Sequence, residues 1–301
     1  MTDARERVTT TIRAANAEGR AALLIYLPAG YPDLPGSRDR LEAAAEGGAD
    51  LLEVGFPYSD PVMDGPAIQA ANQVALDAGL TPADDLAMCR ELNARVDVPT
   101  LVMTYYNLLW HYPGTGTHPA DGAEDVPPGS AAAATDDETR LGAFARAAAE
   151  AGLAGAIVPD LPAGEGGPWA RAAAAHHLAT VFLVAPATGD GQLAAAGERT
   201  TGFVYASSTM GVTGERTSLA DTAAPLVDRV RGVTDRPVCV GLGVSTREQA
   251  AEVAGFADGV IVGSAAVRAA KDGPHAVRDL VSELAAGCRQ GGGAAVTPDP
   301  G

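Results

Sequence analysis

The chain has 301 residues, 47% of them hydrophobic, with 38 acidic against 21 basic side chains and a formal net charge of −17. That balance excludes nucleic acid and anionic membrane as non-specific partners, and it disfavours an anionic substrate unless backbone amides hold it locally. No apolar run approaches the ~20 residues that span a bilayer, and the opening MTDARERVTT has no apolar signal core, so a cytoplasmic protein is expected.

Residues 4–19 read as a helix ending at Gly19, followed by the apolar run AALLIYL at 21–27, short enough for a buried strand. Pro28, Gly30 and Pro32 end that run, and Ser37 is a candidate cap for a helix to residue 46. The next run, LLEVGF, carries Glu53 among Leu51, Leu52, Val54 and Phe56. A carboxylate in such surroundings costs several kcal/mol unless it is paired or functional. The chain then breaks at Pro57 into YSDPVMDG, which sets Asp60 and Asp64 on irregular backbone beyond a strand end.

Helices over 67–78 and 82–96 follow, the second opened by Thr81 with Pro82 at its first position. The strand PTLVMTYYN comes next, and after an interruption the alternation resumes: helix 140–151 and GAIVPDLP, helix 167–176 and TVFLVAP, helix 191–197 and GFVYASS. Helix 219–230 precedes PVCVGLG, helix 247–254 precedes GVIVGSA, and a last helix runs near 276–289. Eight buried strands alternating with helices argue for a single (β/α)8 barrel with an extra N-terminal helix, spanning residues 1–290. Residues 113–139, rich in Pro, Gly, Ala and acids, read as a flexible insertion after the third strand, and 291–301 as a disordered tail.

In a barrel the strand C-termini form the active mouth. The residues there are Tyr26, Glu53, Tyr105 with Asn107, Asp160, Tyr205, Gly241 with Gly243, and Gly263 with Ser264. Glu53 reads either as a general acid/base or as a structural carboxylate paired with an arginine or a tyrosine. Asp64 is expected to stay ionised and stabilise positive charge, or else simply to form a turn before Gly65, and Asp60 has the same local alternative. The Gly-rich ends VGLGVS and VGSA occupy the place where barrels bind phosphate with backbone amides, although as motifs they also describe ordinary tight turns. Gly211 to Gly214, with the Thr213 hydroxyl, read as a hinged lid or as a turn.

Other chemistries find little support. Lys271 is the sole lysine and lies in a polar helix end, which disfavours an imine mechanism. Cys89, Cys239 and Cys288 are scattered without a C-x-x-C, no residues have metal-ligand spacing, and reduced thiols with no metal are expected. His176 and His177 end a helix away from the mouth and read as partners of its C-terminal dipole.

The stretch LLEVGFPYSDPVMDGP resembles the signature of the tryptophan synthase alpha chain family, and PTLVMTYYN, GAIVPDLPAGE, GFVYASSTMGVTGER, VGLGVSTREQA and VIVGSA follow in that family's order. The resemblance covers nearly all of residues 5–288. It implies a barrel lyase that cleaves indole-3-glycerol phosphate to indole and glyceraldehyde 3-phosphate in tryptophan biosynthesis, without cofactor in this chain. Glu53 is then the catalytic acid/base, and Asp64 holds the indole N–H. Tyr205 matches the active-site tyrosine, Tyr26 and Tyr105 line the indole pocket, Thr213 and Gly214 belong to the closing loop, and Gly214, Gly241, Gly243, Gly263 and Ser264 match the phosphate site. Pro57 and Asp60 would face a beta chain carrying pyridoxal phosphate, in an alpha2beta2 complex that passes indole through a tunnel. Pro28 and the insertion at 113–139 depart from the family pattern, and the insertion lies where the partner would dock. A free-standing indole-releasing lyase and a catalytically weak allosteric barrel subunit are the alternatives.

Overall fold

The computed structural model describes residues 3–61, 64–113, 131–207, 219–241 and 243–291, without the side chains of 131–138, 219 and 222. The chain begins with helix α1 (Ala4–Ala17), then β1 (Ala22–Pro28), α2 (Leu34–Glu46) and β2 (Leu51–Gly55). Helices α3 (Pro66–Asp77) and α4 (Pro82–Asn93) lead to β3 (Thr100–Met103) and the short α5 (Tyr106–Trp110). Then follow α6 (Ala131–Glu150), β4 (Gly155–Ile157), α7 (Gly167–Ala175), β5 (Ala179–Val181), β6 (Leu183–Val184), α8 (Asp190–Arg199) and β7 (Val204–Ser207). The last units are α9 (Leu219–Arg231), β8 (Val238–Gly241), α10 (Arg247–Ala254), β9 (Gly259–Val262), α11 (Ser264–Ala269) and α12 (Pro274–Gly291).

Among the described residues nine strands form one sheet in the order β5-β4-β3-β2-β1-β9-β8-β7-β6, with every pairing parallel. The fifth of the eight expected strands is broken at Phe182, so β5 pairs with β4 and β6 with β7, and together they join the two ends of the sheet. Phe182 spends its carbonyl on Tyr205 N–H at 3.0 Å, and its ring lies against Gly166, where a Cβ would collide with it. The eightfold barrel expected from the alternation is therefore present, with one strand in two pieces.

Alternation along each strand sorts the core into two layers. Ala22, Leu24, Leu51, Leu101, Ile157, Ala179, Val181, Phe203, Cys239 and Ile261 fill the interior, and Val8, Ile12 and Ala15 of α1 close its lower end. The opposite strand faces meet the surrounding helices in the larger cluster. Strand β1 is buried along its whole length, as a parallel strand covered on both faces requires.

Several local expectations are corrected. Helix α2 starts three residues earlier than Ser37, because Asp33 accepts from Gly36 N–H as N-cap; Ser37 instead accepts from Gly30 N–H at 3.1 Å and donates to Leu34 C=O at 2.9 Å. Helix α6 starts at Ala131 and not Arg140, so the end of the expected insertion is helical. The run AAAAT has the helix propensity for it. The rest of that insertion beyond residue 113, the lid at 211–214 and the tail from 292 lie outside the described residues. Thr81 opens α4 with Pro82 at its first position as expected, and the structure adds a capping box with Asp84. His177 adopts φ 58° just past α7 and bonds Asp3 Oδ2, the α1 cap, at 3.1 Å, on the barrel side away from the mouth.

One ion pair ties the lower end together. Arg20 donates to both oxygens of Asp50 at 2.7 and 2.8 Å, and Asp50 also accepts Leu23 N–H at 2.8 Å, which fastens the entrance of β1 to that of β2. Removing the carboxylate leaves the Leu23 amide without its acceptor and the partly buried Arg20 guanidinium with Glu18 alone, so Asp50→Ala should cost about 2–3 kcal/mol. Urea unfolding should show a lowered midpoint with an unchanged slope, and a midpoint equal to that of the unaltered chain would refute this assignment.

Candidate active site at the strand C-termini

Glu53 sits one pleat above Leu51 on the inner face of β2, in register with Tyr26 of β1 on one side and Leu101 of β3 on the other. It is fully buried, and neither carboxylate oxygen has a hydrogen-bond partner among the described residues. The structural alternative, a carboxylate paired with arginine or tyrosine, thus lacks its partner there. Burial in this apolar layer pushes its carboxyl up to about 8, so it is largely neutral at pH 7.

Asp64 lies just before Gly65, the N-cap of α3, and is 9% exposed. Burial raises its carboxyl to about 6 against the opposing effect of a hydrogen bond from Asn72 Nδ2 at 3.1 Å. Gln69 Nε2 donates to the Asp64 carbonyl at 2.8 Å, so two side chains of α3 hold this one residue. Sequence reading missed both. The signal was available: Ile68, Ala71, Asn72 and Ala75 recur at helical spacing on the inward stripe, and Asn72 is the polar member, only 2% exposed.

The tyrosines join the two carboxyls. Desolvation holds the Tyr26 hydroxyl well above its ordinary range, and Asp64, Tyr105, Glu53 and Tyr205 reinforce this in that order. Tyr205 is held up in the same way by burial, with Glu53 and Asp64 contributing. Both rings depend on a glycine in the next strand. A Cβ on Gly55 would collide with the Tyr26 ring and hydroxyl, and one on Gly241 would stand 2.6 Å from the Tyr205 hydroxyl. Each tyrosine occupies the same diagonal relative to its glycine, two positions before it in register. Tyr105 is buried and stacks on Tyr58 with ring centroids 4.9 Å apart.

Of the remaining expected residues, Gly263 borders this centre. Gly263 and Ser264 make the turn into α11, with the Gly263 Cβ position 3.4 Å from the Tyr26 ring and that of Gly65 3.8 Å from Ser264 Oγ. Gly243 takes φ 71°, a left-handed conformation that glycine adopts freely. Asp160 has a local task, accepting Tyr106 N–H at 2.9 Å at the start of α5. Pro57 is buried, whereas Asp60 is exposed and accepts from Ser59 Oγ at 2.6 Å beside a groove of about 380 Å³ lined by Tyr58, Pro61, Gln69 and Gln73. Thr213 and Gly214 lie outside the described residues. Among the described residues no group of three or more His, Cys, Asp or Glu side chains is placed to hold a metal, and no helix is long and apolar enough to cross a membrane.

The family model described as tryptophan synthase alpha chain matches residues 12–119 and 135–294, leaving out a stretch inside the expected insertion. The chain is 48% identical over 290 residues to the tryptophan synthase alpha chain of Streptomyces avermitilis, covering 94% of this chain and 95% of that one. It is 45% identical over 285 residues to that of Mycobacterium avium, with the same coverage. Among solved structures it resembles a chain of Mycobacterium tuberculosis tryptophan synthase, with TM-score 0.79, 44% identity and coverage of 94% and 98%. It also resembles a chain of the Pyrococcus furiosus tryptophan synthase a2b2 complex, with TM-score 0.73, 32% identity and coverage of 88% and 98%.

Proposed function

The chain belongs to the tryptophan synthase alpha chain family, lyases that cleave indole-3-glycerol phosphate, and from that premise we propose that Glu53 and Asp64 carry the reaction in opposite protonation states. The observation that supports this is a pair of carboxyls beside one tyrosine, one pushed up to about 8 and the other to about 6. Near pH 7 the first is an acid and the second an anion. No cofactor belongs to this subunit; pyridoxal phosphate is the beta chain's.

Cleavage needs a proton at the indole carbon that bears the side chain and the removal of one from the adjacent side-chain hydroxyl. Neutral Glu53 supplies the first, which leaves positive charge on the ring nitrogen, and ionised Asp64 accepts the N–H and stabilises that charge. The Glu53 carboxylate so formed takes the hydroxyl proton. The carbon–carbon bond breaks, its electron pair returns to the ring, and the aldehyde of glyceraldehyde 3-phosphate and indole leave with Glu53 protonated again. Tyr26, Tyr105 and Tyr205 wall the indole. Backbone amides at Gly241, Gly243, Gly263 and Ser264 take the phosphate, the local device that a chain of net charge −17 needs for an anionic substrate. Thr213 and Gly214 serve the closing loop.

This assignment predicts a bell. Asp64 must be ionised, so kcat/KM rises as pH climbs through about 6; Glu53 must be protonated, so it falls as pH climbs through about 8. A cleavage profile that stays flat from about pH 5 to about pH 9 would refute the paired roles.

A beta chain is the partner we assign to the mouth, docked over Asp60 and the groove beside it, in an alpha2beta2 complex and in the cytoplasm. Indole release by the purified chain should be slow alone and strongly activated by the beta chain. Fast release indifferent to that partner would make the chain a free-standing lyase, and no release in either case a binding subunit.

A further inference from the structure

We infer that Asn72 is a positioning residue of the cleavage reaction, holding the Asp64 carboxylate in place as an ion that pairs with no cation among the described residues. This rests on the role given to Asp64 above. Asn72 is 2% exposed on the inward stripe of α3, and its Nδ2 donates to Asp64 Oδ2 at 3.1 Å while its Oδ1 has no partner among the described residues. An orphaned buried carbonyl is a cost that alanine, present at Ala71 and Ala75 on the same stripe, does not carry. Packing of α3 therefore does not call for asparagine at this position. The hydrogen bond to Asp64 does, because it is the one side-chain hydrogen bond that Asn72 makes among the described residues.

The kind of donor matters as much as its presence. A carboxylate that must stabilise charge on a bound ring loses that capacity when a lysine or arginine pairs with it, whereas an amide fixes its orientation and leaves the charge whole. The groups around Asp64 fit this. Tyr26 on β1 and Tyr205 on β7 are held neutral by burial, and Glu53 on β2 is neutral below about 8. On α11, packed against α3, Ser264 approaches Gly65, and the single charged residue of that helix, Arg268, lies in its last turn. On α3 itself the charged residue is Asp77, at its far end. Gln69, one turn before Asn72, fixes the Asp64 backbone at 2.8 Å, so the helix sets both the main chain and the side chain of this residue.

The test is the pH profile of indole-3-glycerol phosphate cleavage by the full chain with its beta chain, for the unaltered protein, Asn72→Ala, Asn72→Asp and Asp64→Asn. Loss of one hydrogen bond to the charged form should move the acid limb of Asn72→Ala upward by about one pH unit. Its kcat/KM then falls about fivefold at pH 6 but stays within about twofold at pH 7.5. Asn72→Asp, which keeps the shape and sets a second carboxyl against the first, should move the limb further. An acid limb unmoved in both variants, or activity reduced equally at every pH, overturns the proposal. Asp64→Asn separates this from failure of the underlying reading: if it cleaves at the unaltered rate, the role of Asp64 itself is wrong and that of Asn72 falls with it.

Discussion

Glu53→Gln is expected to lower kcat for indole-3-glycerol phosphate cleavage by 10²–10⁴-fold with little change in KM, the range that a positioned acid/base supplies. Glutamine fills the same space and keeps the polarity but holds no transferable proton. Since Glu53 has no hydrogen-bond partner among the described residues, the substitution leaves no protein group stranded. The loss should therefore appear in the chemical step and not in folding, and activity within a few-fold of the unaltered chain would end the assignment. The same variant has an opposite signature in stability. The folded carboxyl, at about 8, lies above its ordinary 4.5, so the stability of the buried neutral form is complete below 4.5 and is lost as pH rises through 8. Glutamine never ionises. Glu53→Gln should accordingly unfold at a higher temperature than the unaltered chain at pH 9 and at a similar one at pH 5. Active sites hold groups that are poor for stability, and this carboxyl is one.

Asp64→Asn is expected to cost about 10²–10³-fold in kcat, comparable to removing one preorganised electrostatic partner of a transition state. The amide oxygen can still accept from Asn72 and from an indole N–H, so substrate binding should change little. What disappears is the full negative charge that faces the developing positive charge on the ring. Single-turnover rates and KM measured together distinguish this from a binding defect, and a raised KM with unchanged kcat would contradict it. With Asp64 gone, the rise in kcat/KM through pH 6 should vanish as well, leaving only the fall through 8.

Much of the fold was legible locally because each βα unit announces itself within its own run. Apolar strands such as AALLIYL need no partner to be recognised, and Thr81-Pro82 marks a helix start by its own chemistry. Errors arose where two local signals competed. Ser37 and Asp33 are both competent caps, and only the position of Gly30 N–H decided that Ser37 would serve a loop amide and Asp33 the helix. Asp160 stands at its strand end as expected, but its partner there, the Tyr106 N–H at the start of α5, lies 54 residues before it in the chain and has no local signal.

By itself the sequence determined the barrel and the family, and it singled out the two carboxyls proposed here for catalysis. Periodicity, Gly and Pro punctuation and the SDPVMDG loop are properties of consecutive residues, which fold and ligand geometry must respect. Tertiary structure alone decided what state each carboxyl is in. Ionisation depends on the medium and on neighbours brought in from other elements: the apolar layer around Glu53, the Asn72 amide on Asp64, and Tyr26 seated against Gly55. Desolvation and hydrogen bonding act through space over a few ångströms, and no spacing along the chain encodes which groups the closed barrel sets within that distance.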